Sequence, residues 1–282
     1  MEPKVGLALG AGGAKGLAHI GVLQILEEAQ IPVHIISGSS MGAAIGSIYA
    51  AGAQPKIMAK LAKELDNSHF MDLVLPKWGL IKGRKAHALI RLMTHNKNFN
   101  ELNIPVGIVA ADLQSGERVV FTEGNVANAV RASIAVPGVV EPCCLDNRIL
   151  VDGAVVDRVP AKLAKDLGAD IVIAVDLQYH SRAKVEINSI YDVIMQSIEI
   201  LERQIRNYYA CHADIIIKPR LSDFNWTDFE AASQFIEMGR EACTEVLDEI
   251  QEKIANYEVS GKWNSEKVGS EKSLASFVQL GG

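Results

Sequence analysis

Residues Ile35-Ile36-Ser37-Gly38-Ser39-Ser40-Met41-Gly42-Ala43 decide the fold. An apolar run from Val33 to Ile36 reads as a buried strand. It enters Gly38-x-Ser40-x-Gly42 directly, and Ala43, Ala44, Ile45, Ile48, Tyr49 and Ala50 continue as a helical pattern. A strand, a sharp G-x-S-x-G turn and a helix make a nucleophile elbow. The glycines have a steric reason: a Cβ two residues to either side of the serine would strike the neighbouring strand or helix. Ser40 then stands at a helix N-terminus, where free N–H groups and the dipole stabilise negative charge next to its oxygen. A serine ahead of a helix is also an ordinary N-cap, so the rest of the chain has to decide between nucleophile and cap.

Upstream, Lys4-Val5-Gly6-Leu7-Ala8-Leu9 reads as a first strand, followed at once by Gly10-Ala11-Gly12-Gly13-Ala14-Lys15-Gly16. A helix with Leu17, Ile20, Leu23 and Leu26 on one face comes next, and Pro32 stops it. This β-loop-α-β-elbow-α opening demands a parallel sheet with a right-handed crossover. The glycine loop has three readings. A dinucleotide fingerprint needs G-x-G-x-x-G, but counting from Gly10 puts Lys15 in the last place, and no acidic residue ends the second strand. A P-loop needs Lys after its last glycine, and Leu17 stands there. An oxyanion hole fits: small residues let the N–H groups of Gly12, Gly13 and Ala14 turn toward one point, each stabilising an oxyanion by roughly 3–4 kcal/mol. Lys15 adds positive potential nearby, and Met41 is counted with this oxyanion and substrate-binding set. Loop and elbow both end strands at their carboxyl ends, where open α/β sheets place their sites.

With 49% hydrophobic and 22% charged residues, the chain of 282 is an ordinary globular protein, large enough for a sizeable α/β core. Its net charge of −6 speaks against a nucleic-acid partner, which needs a basic surface. Cys143, Cys144, Cys211 and Cys243 lack metal-ligand spacing, and Cys143-Cys144 reads as a reduced pair. The chain reads as having no secretory h-region ahead of a cleavage site, and it has no apolar run of about 20 residues. The expectations are a cytoplasmic protein without metal or cofactor that meets lipid, if at all, by transient contact with a membrane surface. Oligomeric state has no signal in the sequence.

The remaining chain alternates strands and helices. Residues 52–104 read as a helical covering segment, with helices over 55–65 and 84–94. Within it Phe70, Met71, Leu73, Val74, Leu75, Trp78, Leu80 and Ile81 crowd a stretch broken by Pro76 and Gly79. That density fits a loop packed on the core or an acyl-chain wall beside Ser40. Strands are expected at 106–111, 119–121, 149–151, 171–175 and 215–219, with Asp146-Asn147-Arg148 a turn between short strands. Helices are expected at 125–132, 159–167, 191–210 and 229–256. Residues 1–257 then form a single catalytic domain, and 258–282, rich in Ser, Gly, Lys and Glu, a flexible tail.

A nucleophilic serine needs a base. Of the seven histidines (19, 34, 69, 87, 95, 180 and 212), none stands in a Gly-flanked strand-end turn. Asp152 does, directly after Ile149-Leu150-Val151 and before Gly153. A carboxylate withdrawn from water beside Ser40 is a better proton acceptor. The chemistry expected is a Ser40–Asp152 dyad that forms and hydrolyses an acyl-enzyme.

These residues resemble the patatin-like phospholipases, which carry G-G-G-x-K/R-G, G-x-S-x-G and D-G-G/A in this order. The matching segments are Ala11-Gly12-Gly13-Ala14-Lys15-Gly16, Gly38-Ser39-Ser40-Met41-Gly42 and Asp152-Gly153-Ala154. Gly16, Gly38, Gly42 and Gly153 are thus motif positions, while Ala11 departs from the glycine often found there. Arg131-Ala132-Ser133, Pro137-Gly138, Gly168-Ala169-Asp170, Ala213-Asp214-Ile215 and Lys218-Pro219 point to the bacterial branch akin to neuropathy target esterase. The likeness spans about residues 4–245. It implies a patatin-like α/β/α three-layer fold with a parallel-rich central sheet. It also implies a metal-independent esterase, phospholipase A or lysophospholipase, acting on lipid or lysophospholipid. Three readings compete. A carrier-protein acyltransferase has His directly before the nucleophile, where this chain has Ser39. An α/β-hydrolase with a late His such as His212 needs several strands before its elbow, and only two fit here. A catalytically weak lipid-binding or regulatory module would have no need of Ser40, Asp152 and the loop glycines together.

Overall fold

The computed structural model describes residues 2–64, 66–69, 72, 78–177, 193, 196–198, 200–201 and 212–257. Its core is one sheet. The strands are β1 (Val5–Leu9), β2 (Ile35–Ser39), β3 (Val106–Asp112), β4 (Arg118–Phe121), β5 (Cys143–Leu145), β6 (Arg148–Asp152), β7 (Ile171–Val175) and β8 (Ile215–Ile217). The order is β5-β6-β3-β2-β1-β7-β8, with β4 on β3. From β3 to β8 neighbours run parallel, while β4, β5 and β6 are antiparallel additions at one end. The parallel strands are apolar on both faces because both faces are covered, and β1, β2, β3 and β7 are buried at every position.

The two faces are covered unequally. Leu7, Leu9, Ile36, Ile108, Ile173 and Val175 turn toward a thick layer. Its helices are α1 (Ala18–Glu28), α2 (Met41–Ala50), α3 (Pro55–Glu64), α4 (Arg84–Met93), α5 (Val126–Ser133) and α7 (Ala232–Glu245). Ala8, Ile35, Val172 and Ala174 face the other way, against Ala161 and Ala164 of α6 (Ala161–Asp166). Small residues on that face let α6 lie close to the sheet. The result is a three-layer α/β/α fold with a parallel-rich sheet.

Several boundaries differ from the sequence reading. The second strand runs on to Ser39, because Ser37, Gly38 and Ser39 are fully paired with β3. The glycine loop passes first into a 3-10 turn, Gly13–Leu17, before α1 begins. The last helix is broken: a 3-10 turn at Phe229–Ala231 precedes α7, and Val246, at φ −115°, interrupts it before helix resumes over 247–257. In the 52–104 segment, α3 buries Met58, Ala59 and Ala62, and α4 buries Ile90. Cys143 and Cys144 are free thiols on β5. The expected tail and most of the expected 191–210 helix lie outside the described residues. Among the described residues no helix is long and apolar enough to cross a membrane.

Candidate active site

Ser40 occupies the position between β2 and α2, with φ 53° and ψ −123°. Such a conformation costs a non-glycine residue about 1–3 kcal/mol. Its hydroxyl makes no N-cap bond to α2. It donates instead to Asp152 Oδ2 at 2.6 Å. Both residues are buried, with 5% and 3% exposure. The N-cap reading therefore fails on geometry, and the strained turn serves to aim the hydroxyl at a carboxylate.

The sheet explains why residues so far apart in sequence meet. One edge of β3 is taken by β4. Its other edge is shared: β2 runs along it in parallel up to Ser39↔Val109, and β6 comes the opposite way down to Asp152↔Ala110. The two strands meet end to end at neighbouring β3 positions, so Ser40 and Asp152 are the residues at the junction. The carboxylate is held at its second oxygen by the Ala154 N–H, which donates to Oδ1 at 2.8 Å. Gly153 fits where a Cβ would stand 2.2 Å from the Val109 carbonyl oxygen and 2.7 Å from Ser39 Oγ. Gly38 and Gly42 pack likewise: an added Cβ would lie 2.6 Å from the Ala43 nitrogen and 2.1 Å from the Leu9 carbonyl oxygen, respectively.

The Gly-rich loop lies beside the elbow, where Gly16 touches Met41: a Cβ on Gly16 would be 2.2 Å from Met41 Cγ. Gly13, at φ +55°, needs the left-handed freedom of glycine. Among the described residues the N–H groups of Gly12, Gly13 and Met41 have no internal acceptor. Ala14 differs from expectation. Its N–H donates to the Trp226 carbonyl at 2.7 Å, so it anchors the loop and is not available to a substrate oxygen. Arg158 fixes the loop from the other side. Its carbonyl accepts the Ala11 N–H at 3.0 Å, and its guanidinium donates to the Ala11 carbonyl at 3.0 Å. Lys15 is half-buried within the 3-10 turn.

Further contacts were not visible in the sequence. The Ser40 N–H donates to Ser133 Oγ at 2.8 Å, and the Ser133 hydroxyl donates to the Val109 carbonyl at 2.6 Å. Trp226 packs on Gly13, where an added Cβ would stand 3.2 Å from Trp226 Cβ. The 78–83 segment is tied down: Leu80 and Ile81 both donate N–H bonds to Val139, and Arg131 bridges the carbonyls of Lys82 and Glu141. Trp78 nevertheless exposes 52% of its surface and Leu80 41%. Phe70, Met71, Leu73, Val74 and Leu75 lie outside the described residues.

His19 supports the loop from below. Its Nε2–H donates to the Gly10 carbonyl at 2.8 Å, and its buried Nδ1 has no partner among the described residues. Burial pushes its pKa down from 6.5 to about 4, because a proton on Nδ1 would be a charge without water or acceptor. The sign follows from linkage: below pH 6.5 the unfolded chain takes up this proton and the folded chain does not. Stability should fall by about 3 kcal/mol between pH 6.5 and 4 from this residue alone. Urea unfolding of wild type and His19→Gln at pH 7 and pH 4.5 checks it. A drop that is the same in both proteins contradicts it.

Comparison with known proteins agrees with this fold. The patatin-like phospholipase family model matches residues 7–165. An uncharacterised NTE family protein of Mycobacterium tuberculosis is 40% identical over 179 residues, 62% of this chain and 49% of that protein. Patatin-like phospholipase domain-containing protein 6 of Mus musculus is 33% identical over 181 residues, 61% of this chain and 13% of that protein. The match thus spans about half the length of the mycobacterial relative and a small part of the mouse one. Among solved structures, VipD from Legionella pneumophila is similar with a TM-score of 0.56 at 15% identity, over 88% of this chain and 67% of that one. Full-length ExoU of Pseudomonas aeruginosa, in complex with SpcU, gives 0.51 at 16%, over 86% of this chain and 53% of that one. At such identities these two show the fold alone. The family model, covering more than half of the chain and all three glycine-bearing motifs, settles the kinship: this chain belongs to the patatin-like phospholipase family.

Proposed function

We propose that this protein is a serine hydrolase of lipid acyl esters, of phospholipase A or lysophospholipase type, with Ser40 as nucleophile and Asp152 as general base. The observation that carries the reading is the 2.6 Å bond from the Ser40 hydroxyl to Asp152, made between buried groups on a strained elbow. Ser40 Oγ attacks the ester carbonyl carbon while its proton passes to Asp152 Oδ2. The carbonyl oxygen becomes an oxyanion, and the Gly12, Gly13 and Met41 N–H groups are the donors we assign to it. Collapse breaks the ester C–O bond, and the leaving alcohol takes the proton from Asp152. Water then attacks the acyl-enzyme, giving its proton to Asp152, and release of the fatty acid returns the proton to Ser40. Every proton in this cycle moves between Asp152 and an oxygen, so the chemistry calls for no metal or cofactor.

Lipid as the substrate class rests on the family and on the names of the relatives. The exposed side chains of Trp78 and Leu80 offer apolar surface on a segment bonded to the chain that follows α5. We assign them to a wall for the acyl chain. The test is a panel of dispersed phosphatidylcholine, lysophosphatidylcholine and p-nitrophenyl butyrate, given to wild type and Ser40→Ala, with products identified by mass. Release of free fatty acid from at least one lipid by wild type, and from none by Ser40→Ala, is expected. Release from no lipid would end the reading.

A further inference from the structure

The nucleophile's backbone is gripped by a residue outside the dyad. Ser133 is the last residue of α5 and is fully buried. The Val109 carbonyl can only accept, so the Ser133 O–H must donate to it, at 2.6 Å. A lone pair is thereby left facing the Ser40 N–H, which donates at 2.8 Å. Two residues on, the Ala135 carbonyl accepts the N–H of Asp152 at 3.0 Å. One turn at the end of α5 therefore holds the backbone of both candidate catalytic residues. It does so where β2 and β6 meet and no strand pairing continues from one to the other. Ser40 stands at φ 53°, a conformation that persists only when its surroundings over-determine it.

We infer that Ser133 is a positioning residue for the nucleophile: its hydroxyl holds the Ser40 N–H, and with Ala135 it sets the spacing between Ser40 and Asp152. The inference rests on the dyad reading above. It has a further consequence, that the Ser40 N–H faces Ser133 and does not serve the oxyanion. Ser133→Ala keeps the packing volume nearly constant but offers no acceptor. The Ser40 N–H is then buried without a partner, and the turn relaxes toward ordinary backbone angles, drawing Oγ away from Asp152. Misplacement by as little as 1 Å costs about 10²-fold in rate.

The experiment compares wild type, Ser133→Ala, Ser133→Thr and Ser47→Ala. Ser47 is another fully buried serine, on α2, and its hydroxyl has no partner among the described residues. Three quantities are read: kcat and KM for p-nitrophenyl butyrate, the rate of inactivation by a fluorophosphonate, and Tm. Ser133→Ala should lose about 10–100-fold in kcat and in inactivation rate, with KM within about twofold. Ser47→Ala should match wild type, and Ser133→Thr, which retains the hydroxyl, should recover most of the loss. Hydrogen exchange at the Ser40 amide, measured on wild type alone, should be slow. An inactivation rate unchanged in Ser133→Ala overturns the inference while leaving the dyad intact, as does fast exchange at the Ser40 amide in wild type. Wild type that is not inactivated by fluorophosphonate overturns the dyad reading and this inference with it.

Discussion

With Asp152 as the proposed general base, Asp152→Asn should lower kcat toward p-nitrophenyl butyrate by about 10²–10⁴-fold, the usual contribution of such a group. The reason is a reversed hydrogen bond. In the wild type the Ser40 hydroxyl donates to Oδ2 and the Ala154 N–H donates to Oδ1. Asparagine keeps its oxygen on the Ala154 N–H and so turns its NH2 toward Ser40. That group donates, forcing the hydroxyl to accept, and nothing is left to take the Ser40 proton. Shape is preserved and the β3–β6 pairing is untouched, so Tm and KM should change little. Near-full kcat in Asp152→Asn, with loss on a single His→Ala change, would replace the dyad with a histidine-based triad.

Gly42→Ala should destabilise the fold strongly. Its Cβ would lie 2.1 Å from the Leu9 carbonyl oxygen, 2.5 Å from the Leu9 carbonyl carbon and 2.8 Å from the Gly10 carbonyl oxygen. These are backbone atoms at the end of β1, which is paired with β2 on one side and β7 on the other and cannot give way. The expected destabilisation exceeds about 3 kcal/mol, toward the upper end of overpacking effects. For a domain of this size that is a fall in Tm of about 6–12 °C. Activity should fall with it, because the end of β1 leads into the Gly-rich loop that we assign to the oxyanion. Gly116→Ala is the control: it has φ +74° but nothing within 4 Å of an added Cβ. It should cost only the backbone term, about 1–2 kcal/mol. Thermal unfolding of both variants decides, and equal losses would mean that close approach is not what Gly42 serves.

Much of this fold can be read from the chain. The strands at 106–112 and 171–175 stand out because helices cover both faces of a parallel strand, and continuous apolar runs follow from that. The elbow stands out because its strand, turn and helix are contiguous. What escapes the sequence is non-local. Ser37, Gly38 and Ser39 look like turn residues, yet the β3 pairing extends the strand through them. The Ala14 amide looks equivalent to those of Gly12 and Gly13 until a carbonyl 212 residues away, at Trp226, accepts it at 2.7 Å. Ser133 sits 93 positions from Ser40, at a helix end where a serine is unremarkable, and only the sheet's head-on junction gives it a partner. Val246 fits the apolar periodicity of a continuous final helix, and nothing in that pattern marks it as the interruption.

Whether Ser40 is the nucleophile and Asp152 its activator is read out by active-site labelling. Wild type, Ser40→Ala and Asp152→Asn are treated with a fluorophosphonate, and the adduct is counted by intact mass and located by peptide mapping. One adduct is expected, on Ser40, absent from Ser40→Ala and formed far more slowly in Asp152→Asn. An adduct on Ser37 or Ser39, or labelling that persists in Ser40→Ala, contradicts it.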